Sequence, residues 1–188
     1  MIFVTVGTQL PFDRLISAVD EWAGATPSRR VFAQIGPSRM TPRHIKHARF
    51  ISPEQCSERM AAADAIVAHA GIGTILTALE LGKPVLVMPR RAEFAEHRND
   101  HQLATASRFA ELGRVSVAFD ETELSARLDE LYGVMPQPRI SRSAPASFVA
   151  GLRAFILGQS SLPQSSDADP TAWSSCEAPA RTVARLEL

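Results

Sequence analysis

The sequence predicts an α/β domain with a doubly wound parallel sheet. Three observations predict it. Short apolar runs recur along the chain, segments of helical periodicity lie between them, and glycine- or proline-bearing turns separate the two kinds. Strands that alternate with helices in this way form a parallel sheet covered on both faces.

Residues 2–6 form a first strand ending at Gly7-Thr8, and 11–22 a helix, with Leu15, Ile16, Val19 and Trp22 at helical spacing. A strand over 31–35 is closed by Gly36-Pro37, and another ends at Phe50-Ile51. Ser52-Pro53-Glu54-Gln55 reads as a capping box with proline at the first helical position, opening a helix to about residue 62. A buried strand over 65–69 precedes a helix over 73–81 that Gly82-Lys83-Pro84 stops, and 85–88 is the next strand. A helix runs from Asn99 or Asp100 to Leu112, ended by Gly113, and a strand follows over 115–119. Asp120 with Glu123 caps a helix over 121–131. Pro136, Pro138 and Pro145 mark an irregular connection to a last helix over 147–157, with Phe148, Leu152, Phe155 and Ile156 on one face. From Gly158 the chain turns to Ser, Pro, Gln and Asp. We therefore expect a domain over 1–157 and a flexible tail over 158–188, in which Trp173, Val183, Leu186 and Leu188 are the apolar residues able to dock.

A chain of 188 residues suits one domain with a substantial core. Its 20 Lys and Arg balance 20 Asp and Glu, which argues against a dedicated nucleic-acid binder. Two cysteines, Cys56 and Cys176, make no disulfide framework and fit a reducing compartment. Met1 leads directly into an apolar run without a basic leader region, so a signal peptide is not expected. The most apolar stretch, 65–88, carries His69, Glu80, Lys83, Pro84 and three glycines. It reads as two strands and a helix rather than a membrane span, and the expected location is the cytoplasm.

The most informative segment is Ala68-His69-Ala70-Gly71-Ile72-Gly73-Thr74, which leaves a buried strand and opens a helix. It lies at the carboxyl edge of the sheet, where ligands bind in such folds. A helix start offers unpaired N–H groups and about half a positive charge, which suits a phosphate or diphosphate. Gly71 and Gly73 let the backbone come close to such an anion, and Thr74 adds a hydroxyl. The same glycines also suit a tight turn, and His69 also suits a core position. A dinucleotide loop is a weaker fit: Leu76 stands where its third glycine belongs, and the loop is not on the first strand.

The second segment runs from Pro89-Arg90 to Asn99-Asp100-His101-Gln102 and emerges at the same edge. Asp100 and Gln102 carry donors and acceptors for sugar hydroxyls. A metal site is the rival, because His97 and His101 are four apart with Glu93, Glu96 and Asp100 nearby. A helix starting only near Asn99 would leave His97 off its face.

Taken in order, His69-Ala-Gly-x-Gly-Thr74, Leu79-Glu80-x-Gly82-Lys-Pro84 and Asn99-Asp-His-Gln102 resemble the family 28 glycosyltransferases of GT-B fold. The opening Phe3-Val-Thr-Val-Gly-Thr8 and Phe12-Asp13-Arg14-Leu15 resemble its short catalytic subunits. These are the bacterial exopolysaccharide PssE type and the eukaryotic dolichol-chitobiose N-acetylglucosaminyltransferase type. The resemblance covers residues 1–130. It implies a Rossmann-like, C-terminal-type half domain that binds a UDP-sugar, inverting transfer to a lipid-linked saccharide, and no metal or other cofactor. It also implies a separate membrane-anchored subunit that binds the acceptor and supplies the catalytic base, holding this chain at the inner face of the membrane.

The donor-binding residues it implies are Gly7, Thr8, His69, Ala70, Gly71, Gly73, Thr74, Thr77, Glu80, Arg90, Asn99, Asp100, His101 and Gln102. Full-length members such as MurG place a ribose-binding glutamate where this chain has Thr77. Glu80, one turn on and about 4.5 Å further along the axis, lies on nearly the same helix face, so the two are expected to share that task. Arg90 or Arg91 would pair with the carboxylate of a glucuronic acid donor, while the alternative donors, N-acetylglucosamine first among them and also glucose or galactose, would not need that partner. Arg39, Arg43, Lys46 and Arg49, with His44 and His47, form a basic stretch in the loop before a strand, suited to anionic headgroups or an acceptor diphosphate, with a merely solvated loop as the other reading. Two other functions stay open: a nicotinamide-dependent oxidoreductase, which would bind NAD, and a sugar-nucleotide-binding subunit without turnover.

Overall fold

The computed structural model describes residues 1–159 other than 132, 134, 135 and 137; of the tail expected over 158–188, residues 160–188, with Trp173 and Cys176, lie outside the described residues. The chain divides into two compact units, Met1–Ile140 and Ser141–Leu188.

The first unit is a six-stranded sheet of β1 (Ile2–Thr5), β2 (Val31–Gln34), β3 (Lys46–Ala48), β4 (Ala65–His69), β5 (Val85–Met88) and β6 (Ser116–Val117), in the order β3-β2-β1-β4-β5-β6. Every pairing is parallel. The order reverses direction between β1 and β4, so their carboxyl ends diverge and leave a crevice. Alternate residues feed two cores: Ile2, Val4, Val67, Leu86 and Met88 face one layer, Phe3, Ile66, Val85 and Val87 the other. Burial on both faces explains why these strands are apolar at consecutive positions.

Helices α1 (Asp13–Ala25) and α5 (Glu121–Leu131) form the first layer, joined by the Trp22 indole donating to Asp129 at 3.0 Å. The second layer holds α2 (Pro53–Ala62), α3 (Ile72–Glu80) and α4 (His101–Glu111). The capping box of α2 forms as the sequence predicts, Ser52 and Gln55 each taking the other's backbone N–H. Asp120 likewise caps α5, accepting the N–H groups of Thr122 and Glu123 at 2.9 and 3.0 Å.

Most boundaries shift by one or two residues, β6 shrinks to Ser116–Val117, and three others have a clear cause. The strand expected to end at Phe50-Ile51 is Lys46–Ala48; Phe50 is 56% exposed and Ile51 packs into the second core. An edge strand pairs on one side only, so its polar Lys-His-Ala text hides it. Lys46 and His47 are consequently strand residues, not part of a loop. Helix α1 starts at Asp13, because Phe12 turns fully into the core. Helix α4 starts at His101, leaving Asn99 and Asp100 in the connection.

In the second unit the described residues form one helix, α6 (Ala146–Ile156). The sequence predicts this helix within a domain of residues 1–157; the division between the two compact units follows Ile140. Its apolar stripe reads in the sequence either as core or, by the resemblance, as a face for the partner subunit; α6 has no buried residue, and Phe148 and Ile156 are 63% and 71% exposed.

Candidate functional site

At the carboxyl edge, the loop after β1 and the loop after β5 are tied into one wall by Arg90. Its side chain is buried, 3% exposed, and stacks 4.8 Å from the Phe12 ring centroid. One terminal nitrogen donates to the carbonyls of Pro11 (2.6 Å) and Glu96 (3.2 Å), the other to those of Val6 (2.7 Å) and Leu10 (2.8 Å). All four terminal N–H bonds are thereby used. Arg90 is thus a positioning residue, and the expectation that it pairs with a donor carboxylate is corrected. Burial pulls its pKa down, opposed by Glu96.

Glu96, also buried, closes the wall from outside. Its carboxylate takes a bidentate pair from Arg14 at 3.0 Å and the N–H of Arg91. Arg14 also reaches Glu121 and the carbonyl of Pro89. Its pKa rises, because Glu96 and Glu121 outweigh its desolvation. The Phe-Asp-Arg motif at 12–14 is therefore architectural: Phe12 underlies Arg90 and Arg14 grips the far loop.

The facing wall is the turn after β4. The His69 ring lies between two glycines: a Cβ on Gly7 (φ +76°) would stand 3.1 Å from its Cε1, and one on Gly71 only 2.4 Å from its Nε2. The lack of a side chain at Gly71 is explained by this ring. Burial, and then the charge on Arg90, push the His69 pKa down to about 4, so the ring is neutral near pH 7. Its Nδ1 is buried without a hydrogen-bond partner. Gly73 differs: a Cβ there would meet nothing within 4 Å. The first intrahelical bond of α3 runs from Ile75 N to Gly71 O, and Gly71 gives no side-chain cap. The N–H groups of Ile72, Gly73 and Thr74 are therefore open to an anion.

Between the walls is a cavity of about 320 Å³. It gathers seven of the fourteen expected residues: Gly7, Thr8, His69, Gly71, Arg90, His101 and Gln102. The rest do not line it. Ala70 is buried and donates its N–H to Met88. Gly73, Thr74, Thr77 and Glu80 follow along α3; the Thr77 hydroxyl donates to Gly73 O at 2.8 Å. Asn99 contacts the His101 ring, and Asp100 accepts the N–H of Ala92 at 2.8 Å. Gln102 is buried and accepts the N–H of Arg90, which leaves its amide nitrogen for a ligand.

The cavity also includes Val6, Gln9, Leu10 and His97, which the sequence reading did not name as donor residues. The loop 7–10 carries no pattern beyond its glycine, so only the Arg90 clamp reveals it. His97 lies outside α4, as expected, yet its ring meets that of His101 edge-on with centroids 4.4 Å apart. Its Nδ1 is also buried without a partner. Among the described residues, no group of three or more His, Cys, Asp or Glu could hold a metal ion; Glu96 and Asp100 are spent on Arg14 and Ala92.

Comparison with known proteins agrees with this fold. The human UDP-N-acetylglucosamine transferase subunit ALG13 is 30% identical over 124 residues, covering 61% of this chain. The chain spans about a tenth of that relative's length. A solution NMR structure of ALG13 matches with a TM-score of 0.53 at 23% identity, covering 85% of this chain and 95% of that one. The glycosyltransferase of kitacinnamycin matches with a TM-score of 0.54 at 21% identity, over 71% of this chain and 35% of that one. MurG of Acinetobacter baumannii gives 0.51 at 19% identity, over 70% and 41%. These likenesses establish the fold. The family model for the glycosyltransferase family 28 C-terminal domain matches residues 1–151, and the chain belongs to that family.

Proposed function

We propose that this chain is the donor-binding subunit of a two-component, inverting UDP-sugar glycosyltransferase. The observation that carries the reading is the cavity at the β1/β4 crevice, with the uncapped start of α3 on one side. The N–H groups of Ile72, Gly73 and Thr74 hold the diphosphate and take up charge as UDP leaves. His69, neutral, donates or accepts a hydrogen bond there without adding charge. Gln102 and His101 face the sugar. The acceptor hydroxyl attacks the anomeric carbon, the bond to the UDP oxygen breaks, and a base takes the hydroxyl proton. No metal takes part, since the α3 N-terminus supplies the positive field.

The base and the acceptor site belong to a membrane-anchored partner subunit. Two facts support this: the family domain is a C-terminal one, and the human relative is named a subunit. The apolar face of α6 is the surface we assign to that partner. Among the described residues no helix is long and apolar enough to cross a membrane, so attachment at the inner face comes through the partner. The acceptor is a lipid-linked saccharide in exopolysaccharide assembly.

With Arg90 committed, a glucuronic acid donor rests on Arg91, the next residue of the same loop, whose terminal nitrogens donate here to Glu93 and to the carbonyl of Phe119. UDP-N-acetylglucosamine is the second reading, because the human relative's name carries it. Calorimetric titration with UDP, UDP-glucuronate, UDP-N-acetylglucosamine and NAD tests both. The expected result is binding of UDP compounds with one sugar tighter. NAD binding with UDP ignored, with or without the co-expressed partner, would overturn the reading. Within the same titration, Glu80→Gln is expected to weaken UDP binding by about 1.5 kcal/mol or more and Thr77→Val by less, if the two share the ribose. An unchanged affinity for Glu80→Gln beside abolished binding for Thr77→Val would end the sharing hypothesis.

A further inference from the structure

The chain is net neutral, but its charges are sorted. No carboxylate lies between Glu21 and Glu54, while Arg39, Arg43, Lys46 and Arg49 fall within eleven residues. The fold puts this text on one edge of the sheet. The connection from β2 to β3 contains no helix; it runs as a strap beside α1.

Two α1 carboxylates hold the strap. Asp13 and Asp20 are seven residues apart, hence on one helix face and about 10 Å from each other along the axis. Asp13 accepts the Ser38 hydroxyl and the N–H of Arg39. Asp20, buried, accepts the N–H groups of Arg43 (2.9 Å), His44 (2.8 Å) and Ile45 (3.1 Å). The nearest acids are therefore spent on the strap's backbone, not on its cations. Arg39, Arg43 and Lys46 are exposed and form no ion pair among the described residues. Arg49, also exposed, donates to Ser38 O and is followed by the exposed Phe50. The Gln34 amide joins this end of the patch to the cavity wall, donating to both Gly7 O and Arg49 O.

We propose that the strap and the β3 edge form a docking surface for an anionic lipid bilayer, with phosphates on Arg39, Arg43, Lys46 and Arg49 and the Phe50 ring at the acyl boundary. Exposed cations on a firmly held backbone, beside an exposed aromatic ring, match the two layers of a bilayer interface. Overall neutrality disfavours nucleic acid as the occupant. The proposal goes beyond the function above, which attaches the chain through its partner, and does not depend on donor binding. Contact at this edge sets a lipid-linked acceptor beside the cavity.

Co-sedimentation of the full chain with vesicles tests it, using phosphatidylcholine alone and phosphatidylcholine mixed with phosphatidylglycerol. The wild type should sediment only with the mixed vesicles and be released as salt rises. The variant Arg39→Gln/Arg43→Gln/Lys46→Gln should lose about a hundred-fold in partitioning, and Phe50→Ser about ten-fold. Arg108→Gln/Arg127→Gln, which alters cations already paired with Glu111 and Glu130, should leave binding unchanged. Circular dichroism checks that each variant folds, and the salt release of the wild type stands independently of them. The proposal is overturned by no binding to the mixed vesicles, by equal binding to neutral ones, by a folded triple variant that binds like wild type, or by an oligonucleotide bound as tightly as the vesicles. Donor binding is read separately by UDP titration without vesicles, so the two readings fail in different measurements.

Discussion

The two walls of the cavity handle their polar groups in opposite ways. The wall built from the loops after β1 and β5 has spent its groups: the terminal nitrogens of Arg90 go to four carbonyls, and Glu96 answers Arg14 and Arg91. The wall at β4 and α3 has kept its own: no side chain caps the first turn of α3, and its N–H groups stay open. Groups that are spent hold geometry, while groups that are kept are available to a ligand. Substitutions in the first wall should therefore cost stability, and those in the second should cost binding.

The largest effect is expected at Arg90. Arg90→Ala removes four charge-assisted hydrogen bonds and the stacking on Phe12, and leaves Glu96 with less positive charge nearby. Breaking a buried charged cluster of this kind costs about 4 kcal/mol. Chemical denaturation should show that loss, and UDP binding should weaken only through it. Arg90→Lys should recover little, because a single ammonium cannot reach carbonyls that a planar fork spans. A stable Arg90→Ala protein that has lost UDP binding would move Arg90 into the ligand-binding wall.

His69 comes next and carries a pH signature. Its folded pKa of about 4 lies below the ordinary value of 6.5, so the unfolded chain binds more protons between those values. Stability from this group is fully present above pH 6.5 and is lost as pH falls toward 4. The full span is worth about 3 kcal/mol. The wild type should thus lose more stability than His69→Gln between pH 6.5 and 4, the difference between the two cancelling the carboxylates that titrate in both. Equal slopes would mean that His69 is solvated and that its position between Gly7 and Gly71 is not tight.

Much of this was legible in the sequence, for identifiable reasons. Strand–helix alternation and the capping box at Ser52 are local, and the fold follows them. The turn after β4 was legible because His69, Gly71, Gly73 and Thr74 are near neighbours in the chain. Arg90 was placed at the right edge but given the wrong task, since its partners Val6, Leu10 and Pro11 lie about eighty residues away. A separation of about sixty residues, from Gly7 to His69, hid the reason for Gly7. The strand β3 was displaced because an edge strand of Lys-His-Ala carries no apolar signature, and the roles of Asp13 and Asp20 depend on a strap that only the folded chain brings to them.

The smallest effect separates the walls most cleanly. Gly71 and Gly73 look alike in the sequence, but only Gly71 is packed against a side chain. Gly73 lies in the first turn of α3 with open space where a Cβ would go. Gly73→Ala should therefore leave the fold intact and raise its stability by up to about 1 kcal/mol, through helix propensity. If a diphosphate seats on the N–H groups there, the added methyl holds it off, and UDP affinity should fall about ten-fold, or about 1.4 kcal/mol. Stability rising while affinity falls is an outcome that a purely structural glycine cannot produce. Unchanged affinity would remove Gly73 from the site and leave the anion to the rest of the cavity, on His69 and His101.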